Sequence, residues 1–118
     1  PVCVLRPPQG AATGISELGD TAERFCAAAA GDPEALARCT DRQKIVFTRI
    51  LAALLNEAAW AAHDGVAEPA DIDVAMQAGV NYPRGLFAWA SDIGENLVAG
   101  TLSALDASVD DGRFAPPA

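Results

Sequence analysis

Between Asp41 and Asp64, Phe47, Ile50, Leu51, Leu54, Leu55 and Ala58 recur at intervals of three and four residues, and Gly65 follows directly. A helix repeats every 3.6 residues, so this spacing gathers the apolar side chains on one broad side, and glycine takes the left-handed conformation that stops the helix. Roughly six turns with such a side are stable only when other helices cover it, which commits the chain to a helical bundle. Arg42, Arg49, Asn56 and His63 recur every seven residues on another side, near Glu57 and Trp60. That row reads first as a solvated face, with Arg49 and Glu57 as the alternative of a helix contact.

Helix signals punctuate the rest. Ser16 can cap a helix from Glu17 toward Ala30, Gly31 stops it, and Asp32-Pro33-Glu34 starts a short one through Cys39. Pro69 suits a first helical turn, with Asp71 and Asp73 at the positive end, Ile72, Ala75 and Met76 as the buried stripe, and Gly79 as the stop. Tyr82-Pro83 favours extended backbone, and Gly85 lets the chain turn at once into a Leu86–Asp92 helix carrying Phe87 and Trp89. After Gly94 the last helix, Glu95 to Ala107, presents Leu97, Val98, Leu102 and Leu105. Val2 to Leu5 could form a short strand, and prolines 7 and 8 break the chain into a linker reaching Gly14. The expected organisation is therefore residues 1–40 as N-terminal linker and short helices packed on the domain, 41–108 as the helical domain, and 109–118 as a loose tail.

A chain of 118 residues supports one core. Eight basic against sixteen acidic residues give a net charge of -8, which repels nucleic acid and anionic membranes. No uninterrupted apolar run approaches the ~20 residues of a membrane span, and Val2 to Leu5 lacks the basic flank of a signal peptide, so a cytoplasmic protein is expected. Cys3, Cys26, Cys39 and His63 have no metal-ligand spacing, and Met76 reads as core.

Asn56-Glu57-Ala58, Gly65-Val66-Ala67, Asp71-Ile72-Asp73-Val74-Ala75-Met76, Gly79 through Asn81-Tyr82-Pro83-Arg84-Gly85, and Asp92-Ile93-Gly94 follow one another in a fixed order. This series, from Ile45 to Leu105, resembles the C-terminal helical domain of the 3-hydroxyacyl-CoA dehydrogenase family, and within it the second, degenerate copy found in two-copy bacterial members; residues 1–40 lie outside it. The resemblance implies an all-α helical bundle of the 6-phosphogluconate dehydrogenase C-terminal-like type, preceded by an irregular N-terminal segment. It also implies a parent enzyme that oxidises (S)-3-hydroxyacyl-CoA to 3-oxoacyl-CoA with NAD, this domain forming a homodimer and closing over acyl-CoA.

No G-x-G-x-x-G follows a strand in this chain, so no cofactor is expected on it; a dinucleotide-binding domain in the same or a partner chain would hold NAD. The family's catalytic asparagine, in Gly-Phe-x-x-Asn-Arg, corresponds to Thr48 in Lys44-Ile45-Val46-Phe47-Thr48-Arg49. A hydroxyl reaches less far than a primary amide and offers fewer hydrogen bonds, so no catalytic residue is expected here. Arg49, Tyr82, Arg84, Phe87 and Trp89 remain candidates for substrate or interface contact. Two other readings stay open: a non-catalytic helical dimerisation module, and an acyl-CoA-binding accessory protein with Tyr82, Arg84 and Phe87 near the ligand.

Overall fold

The computed structural model describes residues 12–109 and 111–117, with side chains from Leu18 onward. Among these residues the structure is all-α, with six helices: α1 (Ala12–Ala29), α2 (Pro33–Ala37), α3 (Asp41–His63), α4 (Pro69–Gly79), α5 (Leu86–Ile93) and α6 (Glu95–Val109). The all-α expectation holds. The strand expected at Val2 to Leu5 lies outside the described residues. Helix α1 begins at Ala12 rather than at Glu17, so the end of the expected linker, residues 12–14, is helical.

The helix ends follow their local chemistry. Thr40 and Gln43 form a reciprocal capping box at the start of α3: Gln43 N–H donates to Thr40 Oγ1 at 3.1 Å, and Thr40 N–H to Gln43 Oε1 at 2.8 Å. At the other end Gly65 takes φ +74°, Gly65 N–H reaches Ala62 O, and Val66 N–H reaches Ala61 O. This pair of bonds closes the helix at the predicted glycine. Helix α4 ends through Asn81 at φ +59°, with Tyr82 N–H donating to Met76 O at 3.1 Å.

The core runs through Leu18, Phe25, Leu51, Leu55, Leu86, Ile93, Leu102 and Leu105, drawn from α1, α3, α5 and α6. The buried side of α3 is Thr48, Leu51, Ala52, Leu55, Asn56 and Ala58, rotated from the expected stripe. Phe47 and Ile50 are 40% and 57% exposed, because α1, α5 and α6 cover only part of a helix that is apolar over a wide arc. The seven-residue row is likewise not a uniformly solvated face: Arg42 and His63 are exposed, Arg49 is half-buried and Asn56 is buried. Helix α4 buries no residue fully; Ile72 and Met76 pack at the edge of the core, and Ala75, expected in the stripe, is exposed. Helix α3 is long and apolar enough to cross a membrane by length and composition, although no uninterrupted apolar run spans it; it lies as a central helix against its neighbours.

Within the tail expected to be loose, Phe114 and Ala115 are held against the bundle. Phe114 is buried, and the Ala115 carbonyl accepts from Asn56 Nδ2 at 3.1 Å and from Trp60 Nε1 at 2.8 Å. Glycine and prolines suggested a free end, but one buried aromatic and two donors on α3 fix it.

Candidate functional site

Thr48 is fully buried in the α1–α3 contact. Its hydroxyl lies 3.4 Å from Cys26 Sγ, and that thiol donates to Lys44 O at 3.4 Å, one turn before Thr48. With its only proton on Lys44 O, the sulfur is the acceptor for Thr48. Burial pushes the Cys26 thiol above its ordinary pKa, which keeps it protonated and unreactive. Lys44 bonds Glu23 across the same contact at 2.7 Å, and that carboxylate raises its pKa. The position matching the family's asparagine therefore points into a contact with α1.

Asp73 joins α4 to α5. Its Oδ1 accepts from Phe87 N–H at 2.8 Å and its Oδ2 from Ala88 N–H at 3.1 Å. These are among the amides at the start of α5 that its own turns cannot satisfy, and Gly85, the N-cap residue, has no side chain to offer them. Sequence reasoning assigned Asp73 to the start of α4; the structure turns it onto the next helix, where a carboxylate also meets the positive end of the helix dipole. Gly85 has φ -66° and ψ 147°, which any residue adopts. Its need for glycine is spatial, since a Cβ there would lie 2.3 Å from Asp73 Cγ and 2.5 Å from Asp73 Cβ.

The remaining candidates disperse around the bundle. Arg84 pairs with Asp92, each about half exposed, so the pair adds little stability. Trp89 Nε1 donates to Ala29 O at 3.0 Å, fastening α5 to the end of α1, and its ring meets Phe47 edge-on at 6.4 Å. Tyr82 is half-buried against the core. Arg49 keeps its Nε buried without a hydrogen-bond partner. Phe87 lines an apolar groove of about 280 Å³ between α3, α5 and α6, together with Leu55, Asn56, Leu86, Val98 and the tail prolines 116 and 117. Sequence reasoning missed Asn56 and Trp60 as a clamp; the only signal was their four-residue spacing, which places both on one side of α3.

The starts of α2, α3 and α5 offer no free amides to a dinucleotide's phosphates. The N-terminal amides of α5 already hold the Asp73 carboxylate, those of α3 face their own capping box, and Asp32 caps α2 by accepting from Glu34 N–H at 2.9 Å. None of these helix starts follows a strand in the manner a pyrophosphate site requires. Among the described residues no cluster of three His, Cys, Asp or Glu side chains could hold a metal ion.

Residues 45–118 match the model of the 3-hydroxyacyl-CoA dehydrogenase C-terminal domain. The chain is 37% identical over 76 residues to 3-hydroxyadipyl-CoA dehydrogenase of Escherichia coli, covering 64% of this chain and 16% of that protein. It is 29% identical over 103 residues to a probable 3-hydroxybutyryl-CoA dehydrogenase of Bacillus subtilis, covering 87% of this chain and 36% of that one. A match of 103 residues must reach back into α1, so the similarity extends beyond the Ile45–Leu105 stretch expected from motifs. The crystal structure of (S)-3-hydroxybutyryl-CoA dehydrogenase from Ralstonia eutropha superposes with a TM-score of 0.57 at 33% identity, over 58% of this chain and 24% of that one. The chain thus spans only about a sixth to a third of these curated relatives.

Proposed function

The chain belongs to the 3-hydroxyacyl-CoA dehydrogenase C-terminal domain family, and from that premise we propose that it is the helical domain of an NAD-dependent 3-hydroxyacyl-CoA dehydrogenase, contributing subunit association and a wall of the acyl-CoA channel rather than a reacting group. The parent reaction is oxidation of 3-hydroxyacyl-CoA to 3-oxoacyl-CoA in the cytoplasm, with NAD held by a dinucleotide-binding domain in the same or a partner chain. The observation that carries the non-catalytic assignment is the placement of Thr48, whose hydroxyl meets Cys26 in a buried contact. Val46, Phe47 and Ile50 are 49%, 40% and 57% exposed on α3, and this apolar strip supports both association and contact with an acyl chain.

Two measurements test the proposal. The purified chain, mixed with NAD and (S)-3-hydroxybutyryl-CoA, should form no NADH above a protein-free blank. In sedimentation equilibrium it should associate to a dimer that Ile50→Glu dissociates. Turnover by the chain alone would overturn the non-catalytic reading, and a monomer at high concentration would overturn the association.

A further inference from the structure

The outward side of α3 keeps an apolar strip that the bundle leaves open. Val46 and Ile50 are about half exposed, Ala53 is half-buried one turn further on, and Phe47 and Leu54 flank them. Intervals of four and three residues hold Val46, Ile50 and Ala53 in line along the helix, the spacing by which one helix packs against another. The small side chain of Ala53 lets a second backbone come close.

The same line ends in two exposed charges. Arg42 lies one turn before Val46, and Glu57 one turn after Ala53. Lys44, Arg84 and Arg113 are paired within the chain, to Glu23, Asp92 and Asp111, but neither Arg42 nor Glu57 has a partner among the described residues. The two charges stand about 22 Å apart along the helix axis, and the point midway between them falls between residues 49 and 50, inside the strip.

That symmetry selects the occupant. A second α3 running the opposite way matches both charges at once: with a two-fold axis beside residues 49 and 50, Val46 faces the partner's Ala53, and Arg42 faces the partner's Glu57 at both ends. Parallel copies would instead set arginine against arginine and glutamate against glutamate. Each copy carries a net charge of -8, so two copies repel one another, and opposite charges at the contact offset that repulsion locally.

Building on the association proposed above, we infer that α3 pairs with a second copy of itself in antiparallel orientation, with Arg42 against the partner's Glu57 at each end of the Val46–Ile50–Ala53 strip. This pairing fills the strip, which then serves association rather than contact with an acyl chain.

Sedimentation equilibrium of the full chain and its charge variants tests the register. Arg42→Glu and Glu57→Arg should each weaken the dimer by roughly tenfold, about 1.4 kcal/mol, since each turns two attractive contacts into repulsions. The chain carrying both changes should regain most of the affinity, because the pairs are restored with their signs exchanged. Both positions are exposed, so the variants should keep the helical circular dichroism of the unmodified chain. A dimer indifferent to either single change would overturn the pairing and leave association to another face. Weakening by the single changes without recovery in the double variant would overturn the antiparallel register. A chain monomeric at high concentration would overturn the pairing and the proposed association together.

Discussion

Substituting Gly85 by alanine tests why the corner between α4 and α5 has its shape. At φ -66° and ψ 147° alanine brings no backbone strain, and by restricting the unfolded chain it would stabilise by about 0.4–1 kcal/mol if space allowed. The added Cβ would instead lie 2.3 Å from Asp73 Cγ, so the carboxylate must withdraw and release Phe87 and Ala88. Hydrogen bonds to a charged group are each worth about 1.5–3 kcal/mol when buried. One of these is only partly buried and the other exposed, and a lost cap typically costs about 0.5–2 kcal/mol, so a net loss of about 1–2 kcal/mol is expected for Gly85→Ala. Asp73→Gly should cost about 1 kcal/mol more, from the same cap plus about 1 kcal/mol for glycine within α4. The double variant should be no worse than Asp73→Gly alone, because neither carboxylate nor Cβ remains to clash. Urea unfolding followed by far-ultraviolet circular dichroism would give a coupling near 2 kcal/mol. Additivity within about 0.5 kcal/mol would refute the steric account and return the cause to the backbone.

Thr48→Ala should leave turnover of the complete enzyme unchanged and cost about 1 kcal/mol of stability; a hundredfold loss of turnover at unchanged melting temperature, near 2.7 kcal/mol in the transition state, would show a working hydroxyl. Between the two described cysteines, the exposed Cys39 should react with iodoacetamide in the folded protein, and the buried Cys26 only on unfolding, as peptide mass mapping would reveal. Because folding raises the Cys26 pKa above its ordinary 9.0, its contribution to stability is fully present below that pH and is lost as pH rises through the folded value; a Cys26→Ala chain should show a smaller alkaline decline in melting temperature. Phe114→Ala should cost about 3 kcal/mol by emptying a buried aromatic site, measured by the same urea unfolding, and a loss below about 0.5 kcal/mol would mean that the tail is not anchored.

The helices were legible because their start and stop signals are local. Gly65 closes α3 and Pro69 opens α4 through backbone chemistry that needs no knowledge of neighbours. Which side of α3 faces inward was not legible, because apolar residues span so wide an arc that the positions of α1, α5 and α6 decide it. Thus Thr48 and Asn56 are buried while Ile50 is exposed: each of the two polar side chains finds a partner inside, Cys26 or Ala115, from a segment distant in sequence. Asp73 misled for the same reason. A carboxylate on the fifth residue of α4 reads as helix-start chemistry, yet its bonds go to α5, and only the space opened at Gly85 allows them.

The two indoles fasten segments from opposite ends of the chain, Trp89 bonded to the carbonyl that ends α1 and Trp60 bonded to the carbonyl of Ala115. They are the chain's only tryptophans, so its intrinsic fluorescence is a two-channel recording of its terminal segments. A chain retaining Trp89 alone reports when α1 comes away, and one retaining Trp60 alone reports when the segment around Ala115 does. Unfolding followed by emission from the two single-tryptophan chains in parallel would therefore order the two detachments, without any dye.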